Sequence, residues 1–148
     1  MFYYTVYLSD ASNALNQEKT DILIDQLESC YVGNELSGMI ACIKGVSVNG
    51  LKGLCIQVFE GPRYAVQEAI SIIEMDPSRK CEWVYSGITE SRNFNGILSA
   101  YEYINLDTHP QFCAIFELNP NALKLKPRHA GDILLKFLKR FLKDASNN

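Results

Sequence analysis

The 148-residue chain lacks any apolar run close to the roughly 20 residues that a membrane-spanning helix requires. Its first ten residues, MFYYTVYLSD, carry no basic segment of the kind that opens a secretory signal. These two absences predict a cytoplasmic protein without a membrane span. The length and the 47% apolar composition are those of one ordinary globular domain with its own core and at most a short appendage.

Signals for metal binding and for disulfides are also missing. The five cysteines are an odd number without any Cys-x-x-Cys spacing, and four lie in apolar stretches, which predicts reduced and mostly buried thiols. The two histidines, His109 and His129, are far apart in sequence and have no companion ligand spacing, so no metal site is predicted. No nucleophile has an identifiable base, and no enzyme activity is predicted.

Positive charge is scarce in the main body of the chain. Residues 1–120 contain 7 Lys and Arg against 15 Asp and Glu, a net charge of −8, whereas residues 121–148 contain 7 against 2, a net charge of +5. The two parts sum to the overall charge of −3. An acidic body argues against nucleic acid as the main partner.

The order of the predicted elements is β-α-β-β-α-β followed by a fifth strand. Strands are predicted over residues 2–9, 36–43, 54–60, 80–89 and 96–104, with helices between residues 14 and 31 and between Pro62 and Asp76. Residues 44–53 are predicted to be a long, glycine-punctuated connection within a hairpin. Trp83, the only tryptophan, is predicted to lie in the core. This is the ferredoxin-like α+β arrangement, with two helices on one sheet face, and many unrelated functions use it.

The C-terminal segment GDILLKFLKRFLKD, residues 131–144, predicts a strongly amphipathic helix. We divide the chain into a domain over residues 1–105 and a helical extension over residues 106–148, within which residues 111–129 stay unassigned. The apolar side of the helix is predicted to pack on the outer face of the sheet or between protomers. An anionic membrane and an unknown protein are the alternative partners.

Gln57 is a polar residue in the middle of the apolar strand LCIQVFE. A buried amide without partners costs on the order of 1–3 kcal/mol, and it carries two donors and two acceptor lone pairs. The sequence therefore predicts that specific groups hydrogen-bond to this side chain.

Two families that share the fold fit the sequence poorly. An RNA-recognition domain needs aromatic rings at the stacking positions of strand three, which are Leu54 and Ile56 here. An acylphosphatase needs an arginine in the loop after strand one to hold phosphate, but the first arginine is Arg63 on the second helix.

The segments VYLSDAS, LSGMI, QVFEGP and SRNF resemble, in family order, motifs of the sensors of blue light using FAD, the BLUF domains. The resemblance covers roughly the first 105 residues. It implies a non-covalently bound FAD whose flavin ring lies between the two helices, flanked by Tyr7 on strand one and Gln57 on strand three. Gln57 would then be hydrogen-bonded by Tyr7 and by the flavin edge. The alternative is a core amide bonded to Tyr7 and to backbone.

The resemblance also implies further flavin contacts. The family's flavin-anchoring asparagine falls at Tyr31, with Asn34 close by, and its basic run after the second helix corresponds to Arg79 and Lys80. It implies that light draws an electron and a proton from the tyrosine toward the flavin and reorients the glutamine, which signals to the C-terminal helices.

Short BLUF proteins carry such helices to form oligomers, and the resemblance therefore implies a homo-oligomer with an unknown downstream signalling protein. The competing hypothesis is a flavin-free regulatory module that keeps the fold and binds another protein.

Overall fold

The computed structural model describes residues 1–9, 17–29, 35–75, 81–110, 113–116 and 127–146. Five strands form one sheet in this part of the chain: β1 (Phe2–Ser9), β2 (Ser37–Ser47), β3 (Gly50–Gly61), β4 (Cys81–Thr89) and β5 (Ile97–Asn105). The helices are α1 (Gln17–Ser29), α2 (Arg63–Glu74), α3 (Cys113–Phe116) and α4 (Pro127–Ser146). The predicted α+β fold with a five-stranded sheet is confirmed.

The strand order in the sheet is β4-β1-β3-β2-β5. The strand β1 runs antiparallel to β3 and β4, β2 runs antiparallel to β3, and β2 and β5 are parallel. The crossovers β1-α1-β2 and β3-α2-β4 place both helices on one face of the sheet, where α2 packs over β1 and β3 and α1 packs near β5. The neighbouring strands β1 and β3 therefore lie beneath α2.

The connection between β2 and β3 differs from the sequence prediction. Both strands continue through most of residues 44–53, and only Val48 and Asn49 form the turn. The following Gly50 has a φ of 127°, a conformation that favours glycine. The prediction of a long connection was wrong because glycines such as Gly45 were interpreted as loop residues, whereas they occupy regular positions in the ladder.

Each face of the sheet packs against its own apolar cluster. On the helix face, α1 and α2 bury Leu23, Leu27, Ala69 and Ile73 against the sheet. On the outer face, α4 packs over β4, β1 and β3, and its Leu134 and Leu138 are completely buried in a cluster to which all five strands contribute. The strand members of that cluster are Tyr4, Val6, Leu8, Met39, Ala41, Ile43, Leu54, Ile56, Val58, Val84 and Ile104. The amphipathic tail therefore packs on the outer sheet face, the first of the two arrangements predicted for it.

The helix α4 begins at Pro127, four residues before the predicted start at residue 131. Proline suits the first turn of a helix because its missing N–H has no partner there anyway. Gly131 lets the helix approach β4 closely, because a Cβ at this position would lie 2.8 Å from Cβ of Tyr85. Across the described ranges, no helix is both long and apolar enough to cross a membrane.

Candidate functional site

Tyr7 on β1 and Gln57 on β3 are directly opposed residues of the antiparallel ladder. Opposed side chains emerge on the same face with Cβ atoms about 4.5–5.5 Å apart. The phenol and the amide therefore leave the sheet side by side, beneath α2. Gln57 is only 1% exposed, and Tyr7 is half-buried. The structure thus brings together the two residues that the resemblance implies on either side of the flavin.

The amide of Gln57 lies within the apolar cluster of the helix face. Its Nε2 donates to Sγ of Cys55 over 3.7 Å, and Ile40 opposes it on the β2 side. A thiol sulfur is a weak acceptor. The amide can therefore exchange this contact for a stronger partner with little loss of hydrogen-bond energy.

The side chains of this region are of the apolar kind that the flavin ring implied by the resemblance would contact. Leu23 and Leu27 of α1 and Ile73 of α2 are almost completely buried in the same cluster as Ile40 and Cys55. Ligand sites of this kind combine mostly apolar walls with a few placed polar groups. Tyr7 and Gln57 would supply such groups for the polar edge of an isoalloxazine, so the chemistry of the residues present fits the cofactor.

A pocket of about 440 Å³ opens on the other side of α2, toward β4. Its volume lies within the range of about 300–1,000 Å³ that is typical of small-molecule sites. The residues that line it are Tyr3, Thr5, Tyr7, Val66, Gln67, Ile70, Trp83 and Ser86. Tyr7 therefore borders both this pocket and the cluster around Gln57.

Trp83 is not a core residue as predicted, because 56% of its surface is exposed. The strand β4 lies at the edge of the sheet, and α2 covers β1 and β3 instead. The indole Nε1 donates to Oγ of Ser86 over 2.8 Å, and that hydroxyl is also 2.8 Å from Oγ1 of Thr5. The alternation of β4 indicated a strand correctly but could not indicate its place at the edge.

Four of the predicted cofactor-binding residues, Tyr31, Asn34, Arg79 and Lys80, lie outside the described residues. Their roles stay predictions that follow from the resemblance. Within the described ranges, no group of three or more His, Cys, Asp or Glu side chains could hold a metal ion.

Sequence analysis missed a buried carboxylate at the end of β3. Glu60 is completely buried and accepts hydrogen bonds from Oγ of Ser37 (3.0 Å), the backbone N–H groups of Asn93 and Phe94 (2.8 Å each) and Nδ2 of Asn93 (3.1 Å). We call these four residues the Glu60 network. It ties β2 and β3 to the turn before β5. The signal available in the sequence was an acid directly after a buried apolar strand, because such an acid needs several donors.

Two basic side chains extend the Glu60 network. Arg92 donates to Oγ of Ser37 over 2.8 Å and to the backbone oxygen of Glu35 over 2.7 Å. Lys139 of α4 donates to Oδ1 of Asn93 over 3.2 Å. Because Glu60 follows Gln57 on the same strand by three residues, polar contacts lead from the strand of Gln57 to the C-terminal helix.

The chain resembles solved structures over most of its length. BlrB, a BLUF protein in its dark state, shares 17% identity with a TM-score of 0.57, over 97% of this chain and 96% of that chain. A bacterial light-regulated adenylyl cyclase shares 21% identity with a TM-score of 0.55 over 78% of this chain. BlrP1 of Klebsiella pneumoniae, in a calcium/cy-diGMP complex, shares 19% identity with a TM-score of 0.50 over 81% of this chain. At these identities the likeness shows the fold.

The chain spans 33% of the cyclase chain and 29% of the BlrP1 chain. No curated protein sequence matches it significantly. The family model described as "Sensors of blue-light using FAD" matches residues 2–98, well over half of the sequence. The protein therefore belongs to the BLUF family of FAD-binding blue-light sensors.

Proposed function

We propose that this protein is a blue-light photoreceptor that binds FAD non-covalently and switches through Tyr7 and Gln57. The observation that supports this most strongly is the direct opposition of the two side chains on the central strands, within an apolar cluster under two helices. The flavin, when bound, supplies the absorption of blue light and a transient acceptor for an electron. The remaining chemistry belongs to residues of the chain.

Tyr7 carries the proton that moves, since its phenol is opposite Gln57 in the ladder and the resemblance assigns it that role. Gln57 can present either its oxygen or its NH₂ group in one direction, because a half-turn of the terminal amide exchanges the two. Light then selects between two hydrogen-bond patterns of the same side chains. In a site of low polarity each hydrogen bond is stronger than in water. The two hydrogen-bond patterns are therefore distinct states of the protein.

The proposed cofactor site extends beyond the switch pair. Tyr31 and Asn34 would border the ring where the family has its asparagine, and Arg79 and Lys80 would face the ribityl and phosphate part. The guanidinium fork of arginine suits phosphate geometry, and a lysine adds a mobile positive charge.

The proposed output runs from β3 to the helical extension over residues 106–148. Glu60 lies on the strand of Gln57 and holds Asn93, which in turn accepts from Lys139 of α4. A change in the strand that accompanies the turn of Gln57 would therefore alter a contact to α4. We propose that α4 passes the signal to a separate protein, and that the domain over residues 1–105 has no enzyme activity of its own.

We further propose that the protein is a homo-oligomer. Large apolar side chains are exposed at Trp83 and Ile88, which pair with Tyr7 and Tyr3 of β1 and therefore lie on the same face of the edge strand β4. Exposed apolar surface of this kind marks interaction sites when it is contiguous. Light scattering at micromolar concentration is expected to give a multiple of the chain mass of 16.7 kDa. The mass of a single chain would contradict this part of the proposal.

Replacing Gln57 by leucine is expected to abolish the light-dependent change of the absorption spectrum while the flavin band in the dark remains. Leucine approximately keeps the volume of the side chain and removes every hydrogen-bonding atom, so the two patterns cannot be exchanged. The spectrum is recorded before and during blue illumination of the FAD-loaded variant. If the protein were a flavin-free module, the substitution would change only the free energy of unfolding.

The matched control is Gln26→Leu, which removes an exposed amide from α1. This variant is expected to respond to light like the unchanged protein. A light-dependent shift that survives Gln57→Leu would show that another residue performs the switch.

A further inference from the structure

Cys42 and Cys55 face each other across the central hairpin. They are directly opposed residues of the β2-β3 ladder, and their Sγ atoms are 3.1 Å apart. Opposed Cα atoms of antiparallel strands are about 4.5–5.5 Å apart, within the range of about 4.4–6.8 Å found across disulfides. A bond between the sulfurs, about 2.05 Å long, therefore requires no separation or sliding of the strands.

We propose that Cys42 and Cys55 form a redox-active dithiol that a hydroperoxide converts into a cross-strand disulfide, and that this oxidation changes the hydrogen bonding of Gln57. The geometry of the two cysteines supports the formation of the disulfide. The functional importance of its effect on Gln57 rests on the proposed role of Gln57 in the light response.

The reaction is a two-electron oxidation that needs only the hydroperoxide. The sulfur of one cysteine, as thiolate, attacks a peroxide oxygen, breaks the O–O bond and becomes a sulfenic acid, while an alcohol or water leaves. The sulfur of the second cysteine then attacks the first, forms the S–S bond and expels water. Overall, two thiols and one hydroperoxide give one disulfide, one alcohol or water, and one further water. Because both side chains are buried, the reaction is expected to be slower than at exposed thiols.

The link to Gln57 is the contact between its Nε2 and Sγ of Cys55, over 3.7 Å. Closing the disulfide draws this sulfur toward Cys42 and removes the thiol proton. The amide NH₂ group then faces an accepting sulfur in a different place, so the length and direction of its hydrogen bond change. The oxidation state of Cys42 and Cys55 therefore determines which hydrogen bond the side-chain amide of Gln57 can make to Cys55.

The first test uses a variant in which Cys30, Cys81 and Cys113 are replaced by serine, so that only the pair remains. The folded protein is treated with hydrogen peroxide, remaining thiols are blocked, and the intact mass and peptide fragments are measured. The expected result is the loss of two hydrogen atoms, together with a fragment that joins the peptides of Cys42 and Cys55 and separates on reduction.

The same background with Cys42→Ala is expected to give neither the mass change nor the linked fragment. Two results would overturn the dithiol. One is a pair that stays reduced in the folded protein after prolonged treatment, as expected of two small apolar core residues. The other is separate oxidation of the two sulfurs to sulfinic acids without a linked fragment.

The second test follows the side-chain NH₂ signals of Gln57 by NMR, assigned by their disappearance in the Gln57→Leu variant. These signals are expected to shift on oxidation of the pair and to stay in place in the Cys42→Ala background. A disulfide that forms without moving them would overturn the link to Gln57. Neither test uses flavin or light, so their outcome is independent of whether the photoreceptor proposal holds.

Discussion

Gly38→Ala is expected to lower the free energy of unfolding by more than about 3 kcal/mol, a large part of the total stability of a domain. Gly38 is a buried residue of β2, and a Cβ there would collide with the backbone oxygen of Val58 and lie 3.1 Å from Cα of Phe59 on β3. Backbone atoms of a central strand cannot yield without breaking the ladder. The measurement is a urea unfolding curve followed by circular dichroism.

Gly50→Ala is the matched control for this substitution. No atom lies within 4 Å of the added Cβ at this position, and only the φ of 127° opposes the change. Its cost is expected to be about 1–2 kcal/mol, the strain of a left-handed backbone for a residue with a side chain. Equal destabilisation of the two variants would show that β2 and β3 do not approach each other as closely at Gly38 as described.

Glu60→Ala is expected to lower the free energy of unfolding by about 3–5 kcal/mol, because several buried donors lose a charged acceptor at once. The carboxylate accepts from one hydroxyl, two backbone N–H groups and one amide, and the donors belong to Ser37, Asn93 and Phe94. The methyl group of alanine cannot accept hydrogen bonds, so these donors stay buried without their acceptor. Urea unfolding at neutral pH measures the loss.

The control for this variant is Glu102→Ala, which removes an exposed carboxylate from β5. It is expected to change the free energy of unfolding by no more than about 0.5 kcal/mol. A Glu60→Ala variant as stable as this control would contradict the Glu60 network.

The fold was largely predictable because the apolar pattern of each element has a single dominant period. In residues 2–9, Tyr3, Thr5 and Tyr7 alternate with Tyr4, Val6 and Leu8, as expected of a strand, and the structure places the two sets on opposite faces. The exposure of Trp83 was not predictable in the same way. A strand at the edge of a sheet and one at its centre can have the same alternation, and only the tertiary arrangement decides which strand a helix covers.

The residues of the candidate site were predictable only where they belong to a motif that resembles the family. The resemblance implies that Tyr7 and Gln57 lie beside one cofactor, and the structure shows the two residues directly opposed on β1 and β3. The pairing of Cys42 with Cys55 depends on strand register, which a shift of one residue would change completely. Asn49-Gly50 is a strong hairpin signal, but a turn made of these two residues would pair Cys42 with Gln57, whereas the structure turns one residue earlier. Counting outward from the turn at residues 48 and 49 pairs the two cysteines.

The most direct test of the photoreceptor proposal is an absorption spectrum of the full chain purified in the dark with FAD supplied. It is recorded in the dark, during blue illumination and after return to darkness. We expect a structured flavin band that shifts slightly to the red in the light and returns in the dark. A protein that does not retain added FAD, or that retains it without any light-dependent shift, would contradict the proposed function.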